Sequence, residues 1–127
     1  QSNENPVYYV QYAHARIASI FRQAAEVGLA VGEAPDLTRL TDETEIALIK
    51  KILEYPDEVE RAAADYAPQR IARFAYDAAA FHSFYSKCRI MGVEEPLARA
   101  RLALAGKAQQ VIRHALNVLG VFAPQKM

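Results

Sequence analysis

Residues 71–88 read IARFAYDAAAFHSFYSKC, and the apolar members Ile71, Phe74, Ala78, Phe81, Tyr85 and Cys88 step by three and four positions without a miss. An α-helix turns once in about 3.6 residues, so these side chains share one face. The run predicts one long helix, ended by Gly92. Downstream, Pro96 is a good first-turn residue, and Leu97, Leu104, Ala108, Val111, Ala115 and Val118 carry a second stripe to Gly120. Upstream, Asn5-Pro6 suits a helix entry, and Val10, Ala13, Ile17, Ile20 and Ala24 give a third stripe that stops at Gly28.

Between these long helices the pattern is shorter. The segment from Val27 to Leu40, with Gly28, Gly32 and Pro35, reads as a loop. Asp42-Glu43-Thr44-Glu45 has the form of a capping box and introduces a short helix marked by Ile46, Ile49 and Leu53. Pro56 is expected to restart the chain, with Val59, Ala62, Ala63 and Tyr66 as the apolar face of another short helix before Pro68. Five helices and no strand are predicted, and the short connections favour antiparallel neighbours. The fold class is an all-α, five-helix bundle, its many alanines letting helix axes approach closely.

With 127 residues the chain fits one domain, and 52% hydrophobic with 24% charged residues is the balance of a globular one. No stretch approaches the ~18 apolar residues of a membrane span, and the Gln1-Ser-Asn-Glu-Asn5 start is not a secretory signal, so a cytoplasmic protein is expected. Gln1 in the first position reads as the start of a fragment or a processed chain. Cys88 is the single cysteine, which excludes an internal disulfide. Fifteen basic and fifteen acidic residues cancel, which argues against a DNA binder that works by a broad positive field.

Catalytic and metal motifs are missing. His14, His82 and His114 fall on different predicted helices without the Glu-x-x-His or His-Glu-x-x-His spacing of helical metal sites, and they read as structural hydrogen-bonding residues. There is no glycine-rich phosphate loop. Cys88 lies between Lys87 and Arg89, but its position on the apolar stripe favours a buried, inert thiol.

Two polar-aromatic strips stand out. Tyr9, Tyr12 and Arg16, continued by Ser19 and Gln23, project from one side of the first helix, with Tyr9 and Arg16 about 10 Å apart along the axis. Phenol rings and a guanidinium are flat surfaces on which unstacked bases can rest. Spacing alone fits the rim of a core at least as well. His82, Tyr85 and Arg89 repeat the pattern on the fourth helix, with the same two readings open. Arg99, Arg101, Lys107 and Arg113 serve equally as a solvated face or as phosphate contacts.

The segment Asn5-Pro-Val-Tyr-Tyr-Val-Gln-Tyr-Ala-His-Ala-Arg16 strongly resembles the start of the anticodon-binding domain in arginyl-tRNA synthetases. Residues 71–85, Ala98-Arg-Ala-Arg-Leu-Ala-Leu104 and Leu119-Gly-Val-Phe-Ala-Pro-Gln-Lys-Met127 are similar, in order, to the later helices and the ending of that family. The resemblance covers nearly the whole chain and is loosest from about Gly28 to Pro68. It implies that residues 1–127 are a helical domain partnered by a class I catalytic domain of the same chain, which activates arginine with ATP and Mg and transfers it to tRNA. It further implies no cofactor or metal in this domain, and arginine tRNA, held by its anticodon loop, as the partner in place of DNA or a membrane.

By the same resemblance Tyr9, Arg16, Tyr85 and Met127 lie at the anticodon loop. Arg89 matches a position where eukaryotic members carry an aromatic that stacks on a base; its planar guanidinium departs from that type but can also stack. Gln11, Tyr12 and His14 belong to the motif and are read as fixing the helix. A related class I domain, such as that of the cysteinyl or methionyl enzyme, a helical protein adaptor and a four-helix cofactor protein are the competing readings.

Overall fold

The computed structural model describes the backbone of residues 6–77 and 80–120, and the side chains of residues 8–74, 81 and 83–120. The elements are α1 (Pro6–Glu26), a 3-10 turn (Leu37–Arg39), α2 (Glu43–Ala64), α3 (Gln69–Asp77), α4 (Ala80–Lys87) and α5 (Glu95–Val118). Among the described residues every regular element is helical, as the periodicity predicts. α1 packs along α5, α2 meets α3, α4 and α5, and α3 also touches α1 and α5.

The predicted stripes form the core. Ile17, Phe81 and Phe84 are wholly buried, Ile71, Leu102 and Ile112 nearly so, and each such side chain contributes roughly 1.5–3 kcal/mol by leaving water. Ala13, Ala24, Ala100, Ala105, Ala108 and Ala115 are buried with them and let the long helices come close. α1 and α5 come close at Gly106, where an added Cβ would stand 3.2 Å from the Phe21 ring. α1 ends as predicted at Gly28, whose φ of 74° accompanies the Leu29 N–H bond to the Ala24 carbonyl.

Two boundaries differ from the sequence reading. The helices expected on either side of Pro56 are one helix of 22 residues with Pro56 inside it. A proline there removes one backbone donor, yet its neighbour Tyr55 is anchored by the core: its ring lies 5.2 Å from Phe74 and its hydroxyl shares a 2.6 Å hydrogen bond with His114 Nδ1. Tyr66 is not part of the apolar face. It sits past the end of α2 at a φ of 52° and is 92% exposed. Of the long helix expected over the run from 71 to 88, residues 71–77 and 80–87 are helical, labelled α3 and α4, and residues 78 and 79 lie outside the described residues.

The capping box is formed as read, and it does more than start α2. Asp42 accepts from the Thr44 N–H at 2.8 Å, and Glu45 Oε1 accepts from the Asp42 N–H at 2.9 Å. Asp42 also faces Lys87 at 3.3 Å, so the N-terminus of α2 meets the C-terminal end of α4. No helix among the described residues is long and apolar enough to cross a membrane.

Candidate nucleic-acid interface

α1 carries its tyrosines at the first turns, and their rings form a series. Tyr9 is 38% exposed and meets Tyr8 edge-on at 6.2 Å. Tyr8 stacks nearly parallel on Tyr12, one turn along, with centroids 6.5 Å apart. The Arg16 guanidinium then lies over Tyr12 at 5.4 Å and over Tyr85 of α4 at 4.9 Å. Tyr85 in turn lies 5.9 Å from Phe81, nearly parallel to it, and Phe81 is wholly buried. A flat, polarizable track thus crosses from α1 to α4, fixed at one end on the core.

Of the residues singled out from the sequence, Tyr9, Arg16 and Tyr85 are joined by this track. Tyr9 and Tyr85 do not meet directly; Tyr8, Tyr12 and Arg16 connect them. Tyr8 is a member that the i, i+3, i+7 reading missed, although its i+4 relation to Tyr12 was a usable signal. Arg89 is exposed but lies beyond the end of α4, so it does not continue the helical strip of Tyr85. Its carbonyl accepts from Arg101 NH1 at 2.7 Å, and its guanidinium lies near Gly92. Met127 and the side chain of His82 lie outside the described residues.

The other polar candidates have structural attachments. His14 is wholly buried, and its Nε2 accepts from Arg113 Nε at 3.2 Å. Arginine only donates, so the ring proton of His14 sits on Nδ1. Gln109 donates to the His14 carbonyl at 3.4 Å, which ties α1 to α5 a second time. Among the four basic residues of α5, Arg99 pairs with Glu95, Arg101 with Glu45 and Arg113 with His14, while Lys107 is exposed. Cys88 is buried beside Thr44, and that burial pushes its thiol pKa up, which leaves it protonated and unreactive at neutral pH.

Residues 10–127 match the model of the DALR anticodon binding domain. The chain belongs to the DALR anticodon-binding domain family. Over its whole length this DALR domain is 51% identical to an arginine–tRNA ligase of Desulforudis audaxviator and 48% identical to one of Salinibacter ruber, covering 23% of each. The DALR domain therefore spans about a quarter of the length of the curated relatives it matches. Among solved structures, Thermus thermophilus arginyl-tRNA synthetase matches 99% of the domain with a TM-score of 0.83 and 34% identity, using 22% of that chain. A Campylobacter jejuni structure described as the same synthetase matches 97% of it with a TM-score of 0.84 and 30% identity, using 27% of that chain. The five-helix architecture of the DALR domain is thus the one found in part of these synthetases.

Proposed function

We propose that this DALR domain is the tRNA-recognising part of an arginine–tRNA ligase, and that it holds the anticodon loop of arginine tRNA. A separate catalytic domain of the same polypeptide then joins arginine to that tRNA in the cytoplasm, with ATP and Mg supplying the activation chemistry there. The observation that carries the reading is the flat track Tyr9, Tyr8, Tyr12, Arg16 and Tyr85, at the surface of a domain whose family binds anticodons.

Loop bases leave their own stack and rest on these rings, each good stack being worth roughly 1–3 kcal/mol. In the free domain the Arg16 guanidinium already covers Tyr85. A base arriving on that face of Tyr85 displaces it, and the guanidinium turns to a phosphate oxygen, which it can grip with two parallel N–H bonds. Polar edges along the track select loops whose central anticodon base is cytosine. Arg89, with a plane that can stack and a charge that can meet phosphate, and the terminal Met127 complete the set. Because the net charge is zero, little background attraction accompanies these contacts, and the domain alone binds weakly.

The test is titration of the full-length protein with an arginine-tRNA anticodon stem-loop and with a copy whose central cytosine is replaced. The first is expected to bind more tightly, and Tyr85→Ala to weaken it roughly five- to 150-fold, the loss of one stack. Equal affinity for both loops, or no binding at millimolar concentration, overturns the reading.

A further inference from the structure

Arg101 stands on α5, yet its guanidinium reaches two other parts of the bundle. Its Nε donates to Glu45 Oε2 at 2.6 Å, and its NH1 donates to the Arg89 carbonyl at 2.7 Å. Glu45 is buried, 1% exposed, and its second oxygen accepts from the Asp42 N–H. One planar cation therefore joins α5, the N-terminus of α2 and the backbone just after α4.

That backbone needs an external hold. The Arg89 carbonyl lies past the last helical residue, Lys87, so the hydrogen-bond ladder of α4 does not hold it. Two further contacts act on the same end, Lys87 with Asp42 and Cys88 Sγ with Thr44 Oγ1 at 3.4 Å. The Cys88 N–H bonds to the Phe84 carbonyl at 2.7 Å, so a hold on the Arg89 carbonyl acts one residue from the last turn of α4, the turn that carries Tyr85.

We propose that Arg101 is a positioning residue for tRNA binding: it clasps the Arg89 carbonyl to Glu45, and so sets α4 where Tyr85 meets Arg16 of α1. The inference rests on the base-stacking reading of the track. Arginine suits the task because its rigid fork serves two acceptors in fixed directions, whereas a lysine ammonium satisfies Glu45 as a point charge and leaves the carbonyl unclasped.

The test uses the full-length protein and measures aminoacylation of arginine tRNA. Arg101→Lys keeps the charge beside Glu45, and is expected to raise KM for tRNA about tenfold with kcat within about twofold, the loss of a well-aligned stack without loss of chemistry. Amide hydrogen exchange is expected to speed up at residues 85–90 and to stay unchanged in α1. A core variant of comparable stability, Ile112→Val, controls for general loosening and is expected to keep the parental KM. A parental KM in Arg101→Lys overturns the proposal, and so does an equal rise in Ile112→Val. Tyr85→Ala separates the two ideas. If it leaves KM for tRNA unchanged, the stacking reading itself fails; if it raises KM while Arg101→Lys does not, only the clasp fails.

Discussion

The track has two halves held in different ways. Tyr9, Tyr12 and Arg16 ride on α1, a helix of 21 residues packed along the 24-residue α5 through buried alanines, Ile17, Ile112 and the close approach at Gly106. Tyr85 rides on α4, whose C-terminal end is tied by Lys87, Cys88 and the Arg89 carbonyl to the polar start of α2. Apolar packing is short-ranged and insensitive to pH, whereas a set of charged hydrogen bonds responds to proton and partner loss. Both halves thus rest on buried side chains, Phe81 and Phe84 on the α4 side, and the end of the α4 half is in addition adjusted by electrostatics.

The largest blow to this contrast comes from stranding the buried carboxylate. Arg101→Met leaves Glu45 unpaired at 1% exposure and is expected to cost about 3–5 kcal/mol in urea unfolding. Ile112→Ala, which opens a void between the long helices, is expected to cost roughly 2–5 kcal/mol by the same measurement. The two differ in where they act: exchange should rise first around residues 85–90 in the former and along α1 and α5 in the latter. If both loosen the same segments, the halves are one unit and the contrast collapses.

A smaller effect is expected from acid. Hydrogen bonds from the Thr44 hydroxyl and N–H, helped by Lys87, hold the Asp42 carboxyl at a pKa of about 2. A folded-state pKa below the unfolded value means stabilisation that is complete above pH ~4 and fades as pH falls toward 2. The urea midpoint should therefore fall less steeply from pH 5 to pH 2.5 in Asp42→Asn than in the parent. Parallel curves would remove Asp42 from the electrostatic half.

The α1 half was legible in the sequence and the electrostatic ties of the α4 half were less so. Val10, Ala13, Ile17, Ile20 and Ala24 recur at helical spacing, and all five are buried, because a long amphipathic helix states its core face in its own period. The continuity of α2 through Pro56 was not legible, since Tyr55 is held by Phe74 and His114 from distant parts of the chain. Tyr66 misled for a local reason: the period reaches it, but the helix closes two residues earlier and turns it into solvent. Arg101 looked like a surface cation because its acceptors, a carboxylate 56 residues away and a main-chain carbonyl, follow no periodic rule. Tyr9, Arg16 and Tyr85 come from residue type and resemblance, and Tyr8 joins them only through its stacking on Tyr12, which the i, i+3, i+7 pattern does not state.

The guanidinium resting on Tyr85 has one more consequence. Bare phenol rings at a surface are indiscriminate, attracting stray hydrophobes and neighbouring copies alike. With Arg16 drawn over it, the ring wears a hydrated cap until an anion and a flat partner arrive together, since only such a pair compensates both the cation and the ring it leaves. On the proposed reading nucleic acid is that combination, and the side chain expected to grip the guest also keeps the seat from being taken by others.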